Sequence, residues 1–261
     1  GKDQWRLECG RQLMRAQLYS AILALPAIML AGQGAAACDE TILVEYQVYD
    51  GRYQIEVNDV YLDSGASQST SGGIPINDWL LKGENSIRVL MNAQSGEFSV
   101  YAICNDGSGK RDFDDAALSG RSSADLTFDV PDPPQRLHLT ATPSNDDGLL
   151  EAVETLKAAM TAQDFDAVWE GHTAMRSEME MTGASVKSEA YQMEKIVANI
   201  APKFAANLKT RSVLGGRVWE VFGDDFAPPI SDVVSVNGGQ VDFKTGSFWM
   251  KVDGTWSVYR K

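Results

Sequence analysis

The chain has 261 residues, 44% of them hydrophobic and 23% charged, with a net charge of −13. That balance excludes a disordered or fibrous chain and leaves room for one large domain or two small ones. So acidic a chain repels phosphate backbones, and no basic patch interrupts the acidity, which argues against nucleic acid as a partner.

The chain opens on Gly1, and its first methionine is Met14. Arg15, an apolar run over 18–30 and small residues over 31–37 follow in the order that export machinery reads. The run is too short for a good spanning helix. Residues 1–37 are therefore expected to be upstream residues plus a signal peptide, with no membrane span in the mature chain; a buried or anchoring helix is the competing reading. This segment holds four cations against two anions, so the remainder carries −15. The expected location is periplasmic or secreted.

Of three cysteines, Cys9 precedes Met14 and would be lost with the leader. Cys38 directly follows Ala35-Ala36-Ala37, and two readings stand. Ala35 and Ala37 satisfy the small-x-small cleavage rule, so Cys38 starts the mature chain and can pair with Cys104 in an oxidising compartment. Alternatively Cys38 is the lipidated cysteine of an envelope lipoprotein, although Ala35 stands where a lipobox usually has Leu. A free Cys104 thiol would be poorly tolerated outside the cytosol.

Residues 38–142 read as strands and turns. Ile42, Val44, Tyr46 and Val48 alternate with Leu43, Glu45 and Gln47, and Tyr53, Ile55 and Val57 resume after Asp50-Gly51. Further alternation runs through Ile87, Val89 and Met91, through Phe98, Val100 and Ala102, and through Leu126, Phe128 and Val130. Arg136 to Thr142 reads as one more strand, with His138 pointing away from its apolar face, to solvent or the rim. The Ser/Gly stretch 64–73 and the polar stretch 105–115 read as surface loops. Many short strands with regular turns predict an antiparallel β-sandwich.

A Pro/Asp/Gly-rich segment over 143–148 marks the expected boundary to a second domain, 143–261. Beyond it the period becomes helical. Leu149, Val153, Leu156 and Met160 form one face, with Ser144, Asp146 or Asp147 as cap. Asp164 caps a second helix carrying Phe165, Val168, Trp169, His172, Met175 and Met179. A third carries Met193, Val197 and Ile200, and Pro202 opens a fresh turn through Phe204 and Leu208. Strands close the chain, ending in a tight hairpin at Asp253-Gly254 that pairs Val252 with Thr255 and Trp249 with Val258. Phe248, Met250, Val252 and Tyr259 share one face of it, and Trp249, Trp256 and Val258 the other. With both faces apolar, helices are expected to cover one side, and the β-domain, a ligand or a partner the other.

On two segments, 156–166 (LKAAMTAQDFD) and 248–259 (FWMKVDGTWSVY), the C-terminal half resembles the cystatin-like/NTF2-like α+β class. That resemblance implies helices curled on a bent sheet with a pocket between them, and a family of enzymes, binders and dimer modules alike. The long third helical region with Pro202 departs from it, where an early strand would be expected. On residues 76–89 (INDWLLKGENSIRV) the N-terminal half is similar to accessory, carbohydrate-associated sandwich modules of exported bacterial proteins.

No P-loop, dinucleotide motif, nucleophile elbow or zinc pattern occurs, and the aspartates at 106–115 do not fit a calcium loop. No cofactor or metal is therefore expected. His172 is the weak catalytic candidate, against an ordinary core histidine. Asp164 and Asp166 read as helix-start residues rather than an acid/base pair. Trp169, His172, Met175, Trp249, Trp256 and Tyr259 are the candidate ligand or partner contacts, against plain core packing. The expected role is a non-catalytic envelope protein binding a protein partner or small ligand. An NTF2-like isomerase or hydrolase using His172, and a carbohydrate-associated module, are the alternatives.

Overall fold

The computed structural model describes residues 40–236 and 238–260. The expected leader and Cys38 lie outside them. The fold is α+β, with antiparallel sheets and helices in one compact unit.

β1 (Glu40–Val57), β2 (Val60–Pro75), β3 (Gly83–Cys104) and β4 (Lys110–Val130) make one antiparallel sheet of order β2-β1-β3-β4. Asn58 and Asp59, both at positive φ (47° and 67°), close the two-residue turn between β1 and β2. These strands run 16 to 22 residues, several times the usual length. A crease makes that length possible. In β1 the buried set passes from even positions (Ile42 to Val48) to odd ones (Tyr53 to Val57) across Asp50, which sits at φ 49°. In β3 it passes from odd (Ile87 to Ala93) to even (Phe98 to Ala102) at the paired position. Along a straight strand Tyr46 and Tyr53 would stand about 23 Å apart. Their ring centroids are 4.9 Å apart, and both hydroxyls reach the same carboxylate oxygen of Asp63, at 2.9 and 3.0 Å. The sheet therefore bends sharply over its own apolar face.

This corrects the expected β-sandwich. Among the described residues the strands of 40–130 hydrogen-bond into one sheet, and its bend supplies the facing apolar surfaces that a second sheet was expected to supply. It also corrects the loop expected over 64–73, which lies within β2. Gly65 pairs with Tyr53 and Gly72 with Tyr46, and the tyrosine rings fill the space their side chains would take. Of the loop expected over 105–115, only the turn before Lys110 is loop; the rest belongs to β4.

The strand expected over 136–142 is instead one helical turn, α1 (Leu137–Thr140), and His138 is fully buried rather than turned to solvent. Two buried partners, described below, hold its ring. Helices α2 (Leu149–Thr161), α3 (Phe165–Glu170), α4 (Thr173–Thr182) and α5 (Val186–Asn199) follow. The second helix expected through Met179 is broken at Gly171-His172, giving α3 and α4. Asp164 caps α3 as expected, accepting from the Ala167 N–H at 3.1 Å. Gly148 at φ 76°, rather than a side chain, starts α2.

β5 (Lys203–Phe204) replaces the turn expected after Pro202. β6 (Lys209–Val213), β7 (Val218–Phe222), β10 (Phe248–Val252) and β11 (Thr255–Arg260) form a sheet of order β11-β10-β7-β6. β8 (Ile230–Val236) and β9 (Gly239–Thr245) complete a smaller sheet with β5. Asp253 (φ 50°) and Gly254 (φ 81°) turn the β10–β11 hairpin in the expected register. Its two faces enter different cores. Met250 and Tyr259, with Phe248 and Val252 beside them, join the core under β1–β4. Trp249, Trp256 and Val258 join the core under α2, α3 and α5. The boundary expected at 142/143 thus separates sheets, while the first core runs across it.

At the crease, β1 and β3 approach so closely that a Cβ on Gly51 would lie 2.2 Å from Ala93 Cα and 2.3 Å from the Asn92 carbonyl oxygen. Gly51→Ala is expected to cost about 1–3 kcal/mol in urea unfolding, whereas Gly73→Ala, with nothing within 4 Å, is expected to be nearly neutral. Equal effects at both positions would refute the crease as a packing constraint.

Candidate functional site

The chain pins α3 against the last hairpin through one small residue. The Ser257 hydroxyl donates to the Gly171 carbonyl (3.1 Å) and accepts from the Ala174 N–H (2.9 Å), while the Val258 N–H donates to Gly171 as well (2.9 Å). These bonds set the end of α3 beside β11 and leave a cleft between α2, α3 and the β10–β11 turn. Its volume is about 830 Å³, within the range of small-molecule and peptide pockets. Leu156, Ala159, Trp249 and Trp256 line its floor, each with less than a tenth of its surface exposed. Glu151, Glu170, Asp147 and Asp253 stand at the rim with Lys251 as cation, its ammonium 4.8 Å from the centre of the Trp256 ring. The Trp256 indole N–H donates to the Asp147 carbonyl (2.8 Å), which fixes the ring as part of the wall.

The six expected contact residues do not converge on one site. Trp249 and Trp256 line this cleft, although each is nearly buried. Trp169 stacks on Phe165 with the Arg176 guanidinium 5.5 Å from its ring. His172 is fully buried: Nδ1–H donates to the Val168 carbonyl (2.7 Å), and Nε2 accepts from the Thr245 hydroxyl (3.0 Å). It lines none of the four clefts described for the molecule. Met175 and Tyr259 lie at a second cleft of about 550 Å³ near Trp79. Cys104 is disulfide-bonded, and the described residues contain no other cysteine.

The second cleft is bounded by an ion network. Arg260 reaches Asp78 (3.0 Å) and Glu178 (3.1 Å), and Arg136 reaches Asp78 (2.7 Å). The Leu137 N–H donates to Glu178 at 2.6 Å. Burial opposes ionisation of Asp78, but Arg260 and Arg136 outweigh it and hold its carboxyl below the usual range. Two guanidiniums meet two carboxylates, so these groups join the halves of the molecule and present no spare charge to a ligand. A second tie is Arg211, which binds Glu220 on β7 (2.5 Å) and Glu56 on β1 (3.2 Å). Burial raises the Glu220 carboxyl, and the Arg211 charge only partly offsets it.

His138 is the third tie, and sequence reasoning missed it. Nε2–H donates to the Leu80 carbonyl (2.7 Å), and Nδ1 accepts from the Tyr259 hydroxyl (2.9 Å). A histidine between two leucines in a short polar-flanked segment was its only signal. Among the described residues no group of three or more His, Cys, Asp or Glu is placed to hold a metal ion, and no helix is long and apolar enough to cross a membrane. The outward face of the long sheet is mainly polar. Its exposed Tyr49 and partly exposed Tyr101 stand about 20 Å apart along the strands, which is no row of sugar-stacking rings.

Comparison with protein-family models, with curated proteins and with solved structures gave no match to this chain. The resemblances described above therefore rest on its own residues.

Burial, opposed only in part by the bond to Leu80, drops the His138 pKa from 6.5 to about 4 in the folded protein. Between those values the unfolded chain holds the extra proton. Stability is therefore complete above pH 6.5 and declines by up to about 3 kcal/mol on acidification to pH 4. His138→Asn is expected to flatten that part of the profile in urea titrations, and an unchanged slope would assign the acid sensitivity elsewhere.

Proposed function

We propose that this chain is a non-catalytic binding protein of the cell envelope or exterior, and that its ligand occupies the cleft between α2, α3 and the β10–β11 turn. The observation that carries the reading is the cleft itself: an apolar floor lined by Leu156, Ala159 and the edges of two largely buried tryptophans, with four carboxylates and one lysine at the rim. Apolar floor and net negative rim together favour a ligand, small molecule or peptide segment, that has an apolar body and a positive charge. The acidity of the whole chain would draw such a ligand in by long-range attraction.

On this reading residues 143–261 act as an NTF2-like α+β module and 38–142 as a β-module that backs its sheet. Helices on one face of a sheet that ends in the Asp253-Gly254 hairpin support the first part. The alternative of an isomerase or hydrolase using His172 has less support, because both ring nitrogens are engaged inside the core. The carbohydrate-module alternative has less support for want of an aromatic row.

Calorimetric titration with an amphipathic lysine/leucine peptide tests the reading. Saturable binding is expected, weakened about tenfold or more by Glu151→Lys/Glu170→Lys and weakened by added salt. Equal binding of a glutamate/leucine peptide, or indifference to the double charge reversal, would sink it.

The Cys104 disulfide favours export to an oxidising compartment. Non-reducing peptide mapping of the exported chain is expected to find Cys38 joined to Cys104. A lipid on Cys38 would instead place the protein on the membrane as a lipoprotein.

A further inference from the structure

The folded sheet has one edge unlike the others. Every other edge strand among the described residues carries charge: β4 at eight positions from Lys110 to Asp129, β5 at Lys203, β6 at Lys209 and Arg211, β9 at Asp242 and Lys244, β11 at Arg260. Charges of this kind are what keep open edges from pairing with another chain. β2, also an edge, has neither charge nor proline anywhere between Asp63 and Pro75. Its residues there are neutral and, Gln68 and Ile74 apart, small, in a chain of net charge −13, so like-charge repulsion between two copies is weak along this stretch.

The segment is also self-complementary about its midpoint. Set antiparallel to itself with a two-fold axis between Gln68 and Ser69, Gly65 falls opposite Gly72 of the second copy, Ala66 opposite Ser71, and Ser64 opposite Gly73. Gly65 and Gly72 both lie on the inward face, beneath Tyr53 and Tyr46. Ser64, Ala66, Ser71 and Gly73 are all exposed. This register matches inward with inward and outward with outward, and a slip of one residue would not. The crease agrees with the same axis. It passes β1 at Asp50, between the pairs Tyr49–Ser69 and Gly51–Ser67, and on β2 it falls between the consecutive exposed residues Gln68 and Ser69. A two-fold normal to the sheet at that point carries the bend into the second copy in the same sense, and the two creases run on as one.

We infer that the protein pairs with a second copy of itself through β2, joining two four-stranded sheets into one continuous creased sheet by an isologous contact. The contact lies in the β-module and is independent of the cleft.

Light scattering or native mass spectrometry on the full chain at micromolar concentration tests it. The wild type is expected to have the mass of a dimer. Ala66→Lys/Ser71→Lys sets like charges opposite each other twice across the axis and is expected to raise the dissociation constant about tenfold or more, with the circular dichroism of the folded chain unchanged. Ala66→Lys/Ser71→Glu sets opposite charges there and is expected to restore the dimer. A monomeric wild type, a dimer that survives the double lysine variant, or the absence of rescue would each overturn the inference.

Discussion

The β10–β11 hairpin sends alternate side chains into two different interiors, and the rest of the molecule is arranged around that division. Trp249, fully buried, anchors the core under the helices, while its neighbour Met250 points to the opposite face and anchors the core under the long sheet. A strand with one solvated face would need polar residues at half of its positions. Here apolar residues predominate on both faces, because helices cover one side and β1–β4 the other. The cleft proposed to bind ligand follows from the same arrangement. It opens where α2 and α3 reach the hairpin turn and stop covering it.

Polar contacts fix how the two sides of that sheet meet. Apolar packing alone tolerates sliding, whereas a buried polar group requires its partner in place. His138, Arg260 and Arg211 each join residues far apart in sequence, with Leu80 and Tyr259 meeting at one imidazole and Glu56 and Glu220 at one guanidinium. Loss of one partner from such a set strands the others, which makes these contacts more decisive for alignment than for net stability.

Legibility from sequence divides along physical lines. Local signals held: the Asp253-Gly254 turn demands positive φ at two adjacent residues, the Asp164 cap satisfies a helix start, and the two faces of the last hairpin could be read from period two. Signals that depend on distant partners failed. The Ser/Gly run of β2 has loop composition, and only the tyrosines that pack over its glycines make it a strand. His138 alternates like a solvent-facing strand residue, yet its two partners lie 58 and 121 positions away. The long apolar pattern through Met179 gave no sign of the break at Gly171, which arises from bonds to Ser257 and Val258. Trp249 and Trp256, candidates on sequence, line the cleft proposed to bind ligand; Glu151, Glu170 and Lys251 did not stand out in the sequence, because only the fold gathers them at one rim.

Tyr259 belongs to the core whose first members are Ile42 and Val44. That interior cannot close until β11 has been made. During synthesis β1 to β4 would wait, incompletely covered, for a strand more than a hundred residues away. Such a chain folds late and slowly by the measure of its distant pairings.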